Sequence, residues 1–320
     1  MSKRYAVAGF LPTLGAAVAL AVLLALPGVL TGYWMRVAAG IFMYAAITQG
    51  LNLIVGYTGY AAFGNVVYFG LGGYVTGVTM VRLHFSFFTA LAVAGLVCGL
   101  YAVLVGLPVL RLRGHYFAMA TLGVSLGTRE MITNLSEWTG GGKGFILPLM
   151  SAPPKVQSTF FYFAMLALAI AATLVCWLVA RSRWGYGLKA IREDEEAARV
   201  LGIPAIRYKI LAWAVSAVIT GLAGGIYAYR QTFIEPPAMF DVLIMLKAFT
   251  MLLLGGMGTV IGPVMGGFLL EMLSDLIWGK FLHWHLGILG MVIMAITLIV
   301  PGGLIRGLAS VRERLGGGGT

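Results

Sequence analysis

Long apolar runs that lack a polar face dominate the pattern of this chain. The runs FLPTLGAAVALAVLLALPGVL (10–30) and FFYFAMLALAIAATLVCWLVA (160–180) are apolar on every side. A helix on the surface of a soluble protein instead pairs an apolar stripe with a polar face. Each run reaches the roughly 20 apolar residues that a helix needs to cross a bilayer core. The pattern therefore predicts an all-α polytopic membrane protein.

Breaks of Gly, Pro or charged residues divide the chain into about ten predicted spans. Two pairs of neighbouring spans are separated only by glycine-rich breaks, so either pair is a candidate for re-entrant or broken helices. The spans are 10–30, 37–55, 63–81, 87–110, 115–133, 159–180, 210–230, 241–256, 259–278 and 284–303, and the glycine-rich breaks follow 55 and 256.

The composition agrees with a membrane chain. Of the 320 residues, 60% are hydrophobic and 10% are charged, and the mean hydropathy is +0.94. The net charge of +11 does not predict nucleic-acid binding, because basic residues beside apolar spans are what membrane orientation requires. Cys98 and Cys176 lie inside apolar runs and are predicted to be inert packing residues. The first apolar run is longer than the core of a signal peptide and is predicted to be a retained helix.

The basic residues are distributed unevenly between the two sides of the predicted membrane. With the N-terminus in the cytoplasm, 14 of the 22 Lys and Arg residues fall on the cytoplasmic side. This predicts a single transmembrane domain over 1–320 with both termini in the cytoplasm. It also predicts a cytoplasmic loop at 181–209 and an extracytoplasmic loop at 134–158, the latter rich in Gly, Pro and Ser.

Glycine is unusually frequent, with 45 residues, about twice ordinary usage. Pairs at small-xxx-small spacing, such as Gly73 with Gly77, allow helices to pack closely in lipid. Two clusters, VGYTGYAAFGNVVYFGLGGY (55–74) and LLLGGMGTVIGPVMGG (252–267), interrupt apolar runs. Interrupted helices commonly mark the substrate path of a transporter, and a simple turn between helices is the alternative.

Two carboxylates fall within a predicted span. Glu271 and Asp275 are four residues apart and would share one face of a helix. Carboxylates inside a membrane are candidates for a functional role. The alternative is a helix end near the outer headgroups, where they pair with Lys247 or Lys280.

The chain carries no recognisable catalytic motif. It lacks HExxH, a cysteine pair at zinc spacing and the GxSxG nucleophile elbow. The stretch GGGKG resembles a phosphate loop but has Gly144 where Ser or Thr should follow the lysine. We therefore expect no enzyme activity and no cofactor, and any ATP hydrolysis would come from another chain.

One polar segment, AIREDEEAARVLGI (190–203), holds four of the chain's eleven acidic residues. Its composition predicts one helix between Gly187 and Gly202, in which Glu195 and Arg199 form a favourable i,i+4 pair. Four apolar residues at approximately helical spacing form a narrow ridge: Leu188, Ile191, Ala198 and Leu201. The helix is either a solvated linker or a docking helix whose ridge packs in the groove of a partner.

This segment also carries a family resemblance. EAARVLG, with Gly202 four positions after the EAA triplet, matches the EAA---G loop of ABC-importer permeases. Its surroundings, LKAIREDEEAARVLGIPAIRYKILAWAVSAVITGLAGGIYAY (188–229), resemble the LivM-type permeases of branched-chain amino-acid importers. So do both glycine clusters, RGHYFAMATLG (113–123) and WTGGGKGF (138–145). These landmarks occur in the family's order over about 40–300.

The resemblance implies a type II-like importer fold in which two permeases enclose one pathway. It also implies two cytoplasmic ATPases, an extracytoplasmic binding protein and a lipid bilayer as partners. The ATPase-coupling residues would be Glu196, Ala197, Ala198, Leu201 and Gly202. The pathway would pass near Gly56, Gly59, Asn65, Thr121, Gly255, Gly256 and Gly258. The stretch TGYAAFGN (58–65) departs from a usual version resembling GQISLGH, with Tyr60 in place of Gln and Asn65 in place of His.

The function expected from these features is that of a permease subunit in the inner membrane of a bacterium. It would belong to an ATP-driven importer for branched-chain or related small amino acids, with a second, different permease beside it. A permease for urea or another small polar solute is the alternative. An ion-coupled secondary transporter, with Glu271 and Asp275 as its coupling site, is a further one.

Overall fold

A computed structural model describes residues 21–280 and the isolated positions 287, 290, 291 and 294. Most of the predicted spans 10–30 and 284–303 lies outside these residues. Within 21–280 the chain is almost entirely helical. The helices are α1 (Gly32–Leu51, continued by a π turn at Asn52–Gly56), α2 (Val66–Arg82), α3 (Phe87–Val109), α4 (Gly114–Asn134), α5 (Pro154–Arg181), α6 (Arg183–Glu193), α7 (Glu195–Val200), α8 (Ala205–Gln231), α9 (Val242–Gly255) and α10 (Gly262–Lys280).

Shorter elements complete the described part. Strands β1 (Phe145–Ile146) and β2 (Phe233–Ile234) pair antiparallel, with Phe145 opposite Ile234. One-turn helices lie at Ser136–Thr139 and Pro236–Met239, and 3₁₀ turns lie at Leu26–Gly28, Phe63–Asn65 and Gly141–Lys143.

Five of the described helices are long and apolar enough to cross a membrane. They are α1 with its π turn (Gly32–Gly56), Phe87–Val109, Pro154–Arg181, Ala205–Gln231 and Pro236–Gly255. The last of these joins the one-turn helix at Pro236–Met239 to α9. Three more helices match predicted spans without meeting that standard: α2 has 17 residues, and α4 and α10 contain charged residues. The described residues are therefore helical as predicted, apart from one short strand pair, and five of their helices could cross a membrane, but the prediction of about ten spans is not confirmed.

Side chains at the helix starts explain several boundaries. The Ser86 hydroxyl accepts from the Thr89 amide before α3, and the Asp241 carboxylate accepts from the Leu243 amide before α9. Such caps satisfy amides that have no partner within the helix. At α5 a proline, Pro154, occupies the first position, where its missing N–H costs nothing.

Helix α8 lies at the centre of the bundle and packs against α2 and α3, while α1 packs against α5. The contact between α2 and α8 is made by backbones. A methyl group on Gly72 would stand 2.1 Å from the Gly221 carbonyl oxygen, and one on Gly224 would stand 2.0 Å from that of Phe69. The structure therefore confirms close packing of helices through small residues. Inside a bilayer such packing replaces apolar burial, which does not drive helices together in lipid.

Helix connections gather at two opposite ends of the bundle. The charged end consists of 52–60, 110–113, 182–204 and 256–261, which contact one another through ion pairs and hydrogen bonds. The strand end consists of 83–86, 135–153 and 232–241, where β1 pairs with β2 and Arg82 donates to the Glu137 carbonyl.

The two glycine-rich breaks have different structures. The first follows α1 and enters the bundle as irregular chain with one 3₁₀ turn. The Asn65 side chain in that turn bonds Ser216 and Thr220 midway along α8, which places the segment inside the bundle. The second, 256–261, stays at the charged end as a turn between α9 and α10. The first is thus a broken segment buried in protein, as irregular backbone in a membrane must be, and the second is the simple turn.

Candidate functional site

The charged loop forms two short helices instead of the single helix that its composition predicts. Asp194 is extended, with φ of −155° and ψ of 111°, and separates α6 from α7. Its carboxylate accepts from the amides of Glu196 at 2.8 Å and Ala197 at 3.0 Å. An aspartate that caps the next helix competes with continuation of the previous one, so the prediction of one helix was wrong.

Gly202 ends helix α7 in a left-handed conformation, with φ of +83°. The amide of Ile203 returns to the carbonyl of Ala198 at 3.0 Å, a closing bond typical of a glycine-terminated helix. The glycine of the EAA---G pattern therefore shapes the end of this helix, and a side chain there would be strained.

The predicted apolar ridge lies mostly inside this chain. Leu188, Ile191 and Ala198 are buried, and the last two pack with Ala205. In contrast, Leu201 is 79% exposed and Val200 is 88% exposed. The docking alternative, in which the whole ridge packs in the groove of a partner, does not fit Leu188, Ile191 and Ala198, because their burial holds the loop to the bundle. The apolar surface that remains is the tip formed by Val200 and Leu201.

The first two residues of the EAA triplet lie on the exposed side of α7. Glu196 forms an ion pair with Arg113, with 3.0 Å between Oε1 and Nη1, and both side chains are largely exposed. Ala197 is exposed beside it. The pair links α7 to the residue that precedes α4.

Glu195 forms a nearly buried network that sequence reasoning missed. Its side chain is 9% exposed and lies 3.0 Å from the ammonium of Lys209, which is 1% exposed. Lys209 also donates to the Tyr60 hydroxyl at 2.9 Å and to the Leu110 carbonyl at 3.2 Å, and Arg199 donates to Glu195 as predicted from their spacing. The clue in the sequence was a lysine at the start of an apolar span, which also fits an ordinary interfacial residue.

This network shifts the pKa values of Glu195 and Tyr60. Burial alone would raise the pKa of the Glu195 carboxyl, but hydrogen bonds from Tyr60 and Lys209 outweigh it and hold that pKa below its ordinary value of 4.5. Burial and the hydrogen bond to Glu195 raise the pKa of Tyr60, so its hydroxyl stays protonated and donates. Tyr60, which replaces the usual glutamine of the resembled motif, therefore joins the glycine-rich segment to the charged loop.

Most of the glycines predicted for the pathway meet in one junction at the charged end. Asn52 donates to the Thr259 carbonyl at 2.8 Å and accepts from the Gly258 amide at 2.9 Å. A methyl group on Gly56 would overlap the Asn52 side chain and stand 2.8 Å from the Gly258 nitrogen. The glycines of this junction are Gly56, Gly59 and Gly258, whereas Gly255 and Gly256 end α9 and lie against Gly262 at the start of α10.

Asn65 and Thr121 lie apart from that junction, inside the bundle. The Asn65 amide donates to Ser216 at 3.0 Å and accepts from the Trp213 indole at 3.2 Å. The Thr121 hydroxyl accepts from the Gly64 amide at 3.2 Å. These contacts hold the broken segment between α4 and α8. A pathway role for Asn65 and Thr121 stays a prediction.

The carboxylates of α10 have partners within the described chain. Glu271 forms an ion pair with Lys247, whose ammonium also lies 4.6 Å from the centre of the Tyr44 ring. Asp275 accepts from the Tyr33 hydroxyl at 2.9 Å. The structure thus pairs Glu271 with one of the two lysines that the sequence suggested.

Comparison with known proteins identifies the family. Residues 33–297 match the family described as branched-chain amino acid transport system / permease component. The high-affinity branched-chain amino acid transport system permease protein LivM of Salmonella typhimurium is 29% identical, over 84% of this chain and 69% of its own length. LivM of Escherichia coli is also 29% identical, over 82% and 68%.

More distant matches include the autoinducer 2 import system permease protein LsrC of Klebsiella pneumoniae. It is 28% identical over 70% of this chain and 64% of its own length. No solved structure matches the chain. The family match spans most of the apolar helices and the whole charged end, and it agrees with the resemblance carried by the EAA---G loop and the glycine clusters. The chain belongs to the family of branched-chain amino acid transport system permease components.

Proposed function

We propose that this chain is the membrane permease subunit of an ATP-driven importer for branched-chain amino acids. Membership of the permease family carries the proposal, supported by 29% identity to LivM over most of the chain. The proposal assigns ATP hydrolysis to two separate cytoplasmic subunits, in agreement with the lack of a phosphate loop in this sequence. A second permease completes the pathway, and an extracytoplasmic binding protein delivers the solute. The assembly lies in the inner membrane with both termini of this chain in the cytoplasm.

The charged end is the surface that meets the ATPases. Its exposed apolar tip, Val200 and Leu201, provides contact area, while Glu196 and Ala197 lie beside it in solvent. Ala198 and Gly202 act indirectly, because burial of the first and the left-handed backbone of the second set the position of the tip. The coupling role thus divides between residues that touch the ATPase and residues that shape α7.

Uptake by the reconstituted complex tests the transported solute. Vesicles that contain the permease pair, the ATPases and the binding protein should accumulate radiolabelled leucine, isoleucine and valine only when ATP is supplied. Urea and autoinducer 2 belong in the same panel, because a relative named for autoinducer 2 import also matches this chain. Uptake by this chain alone without ATP would contradict the proposal and favour an ion-coupled carrier.

Replacement of Leu201 tests the docking surface. Leu201→Ser should reduce retention of the ATPase in a pull-down by about tenfold, because burial of a leucine side chain contributes about 1.5–3 kcal/mol and about 1.4 kcal/mol is a factor of ten in affinity. Leu149→Ser is the matched control, since Leu149 is 75% exposed at the strand end. Equal retention by the two variants would remove Leu201 from the docking surface.

A further inference from the structure

One arginine of the charged loop reaches the glycine-rich end of α1. Arg192, in the last turn of α6, donates from Nη1 to the Gly56 carbonyl at 2.6 Å. The helical residues end at Thr58, and Gly59 turns the chain away with φ of +77°. The Gly56 carbonyl is therefore among those at a helix end that lack an amide partner within the helix. Arg192 supplies the donor for it.

The same guanidinium lies against the turn between α9 and α10. A methyl group on Gly258 would stand 3.1 Å from Arg192 Nη1 and 3.2 Å from the Gly56 oxygen. Asn52 ties this turn to α1, since it accepts from the Gly258 amide and donates to the Thr259 carbonyl. Arg192, α1 and the 256–261 turn thus form one hydrogen-bonded junction.

A second attachment lies three residues further along the loop. Glu195 accepts a hydrogen bond from Tyr60 and pairs with Lys209. The loop therefore contacts the end of α1 through Arg192 and the chain after α1 through Glu195. Glu195 begins the short helix α7, and the exposed tip lies at the other end of that helix. Gly59 and Gly258, both with positive φ, can change backbone conformation at low cost. The turns can therefore yield while the helices on either side keep their shape, as hinge segments do.

We infer that Arg192 is the positioning residue through which movement of the charged loop reaches the glycine turns that follow α1 and α9. The inference rests on the proposed function, because that function supplies the movement. The planar guanidinium presents several donors to a main-chain acceptor, and the stem of Arg192 lies against Gly59, with 3.4 Å between Cγ and an added methyl group. Loss of the donors should uncouple the turns from the loop without removing the loop.

The test uses the complete complex in lipid vesicles with three variants. Arg192→Met keeps the apolar stem and removes the donors, and Arg192→Lys keeps a charged donor. Arg207→Met is the matched control, since Arg207 is exposed in the first turn of α8 at the same end. Three quantities are measured: ATPase retention, ATP hydrolysis, and leucine uptake per ATP hydrolysed.

A fourth measurement does not depend on the solute. Ala61→Cys places a thiol in the half-buried chain after Gly59, and its rate of maleimide labelling is compared with and without ATP plus vanadate. Arg192→Met should retain the ATPase and hydrolyse ATP within about twofold of the parent. Its leucine uptake per ATP and its nucleotide-dependent change in labelling should each fall by about tenfold. Arg192→Lys should lose less of the uptake ratio and of the labelling change than Arg192→Met does. Arg207→Met should change neither quantity relative to the parent.

Several results would overturn the inference. Unchanged labelling and uptake ratio in Arg192→Met would do so, as would an equal loss in Arg207→Met. Loss of ATPase retention in Arg192→Met would make Arg192 a docking residue instead. No nucleotide-dependent labelling in the parent would mean that the turns do not move. A parent complex that binds no ATPase would contradict the proposed function, which is a separate outcome.

Discussion

Glu195 and Lys209 place a carboxylate and an ammonium group in contact at nearly buried positions. Removing either charge from water is costly, and the pair is tolerated because hydrogen bonds from Tyr60 and to the Leu110 carbonyl satisfy the remaining sites. Removal of one partner leaves the other charge without compensation. At the scale of single residues, the most buried ion pair among the described residues of the charged end therefore lies beside the EAA triplet and not within it.

Replacement of Glu195 should destabilise the protein. Glu195→Gln should lower the free energy of unfolding by about 3 kcal/mol, because the Lys209 ammonium then stays buried without its counter-ion. Glu193→Gln is the control, since Glu193 is exposed on the same loop. Chemical unfolding of the purified chain in detergent micelles measures both values. A loss below about 0.5 kcal/mol in Glu195→Gln would show that the pair contributes no more than a surface ion pair.

The same pair predicts a dependence on pH. Because the pKa of Glu195 is lowered in the folded protein, its stabilisation is fully present above the ordinary value of 4.5. It is lost as the pH falls below that value and through the lower pKa of the folded state. As the pH falls below 4.5, the wild-type midpoint of unfolding should therefore fall more steeply than that of Glu195→Gln. Parallel curves for the two proteins would contradict this assignment.

At the scale of elements, the broken segment after α1 depends on close contact with α4. A methyl group on Gly64 would stand 1.8 Å from the carbonyl oxygen of Thr121, an approach that no side chain permits. The Gly64 amide also donates to the Thr121 hydroxyl. The 3₁₀ turn at Phe63–Asn65 is therefore seated on the α4 backbone, and α2 begins where that contact ends.

Two glycine-to-alanine substitutions compare a methyl group at this close contact with a methyl group where nothing lies nearby. Gly64→Ala should destabilise the chain by about 1–3 kcal/mol or prevent folding, because α4 and the turn must separate. Gly123→Ala should be neutral or stabilising by up to about 1 kcal/mol, since nothing lies within 4 Å of the added methyl group and alanine favours a helix. Thermal unfolding of both purified variants measures the difference. Similar midpoints would contradict the close approach of Gly64 to α4.

At the scale of the whole molecule, the connections between helices lie at two opposite ends of the bundle. The charged end gathers the loop 182–204, the 256–261 turn and the glycine-rich end of α1, while β1 and β2 close the other end. Basic residues in the loop 181–209 favour a cytoplasmic position for the charged end. In the proposed importer, this arrangement would present α7 to the cytoplasmic ATPases and the strand end to the binding protein.

Cysteine labelling tests this orientation. Arg183→Cys and Lys143→Cys place exposed thiols at the charged end and the strand end, respectively, whereas native Cys98 and Cys176 are buried. A membrane-impermeant maleimide should label Lys143→Cys in spheroplasts with an intact inner membrane and label Arg183→Cys only after permeabilisation. The reverse pattern would invert the proposed topology.

The amino-acid sequence by itself determined the membrane class, most helix positions, the family resemblance and the EAA---G loop, because these depend on composition and spacing along the chain. Only the tertiary structure decided that Asp194 divides the loop, that Ala198 faces inward, and that Arg192 meets Gly56. Nor could periodicity reveal that Tyr60, Glu195 and Lys209 share one network, since Tyr60 lies 149 positions before Lys209. Local pattern specifies which residues form a helix, whereas contacts between distant residues depend on how the helices pack.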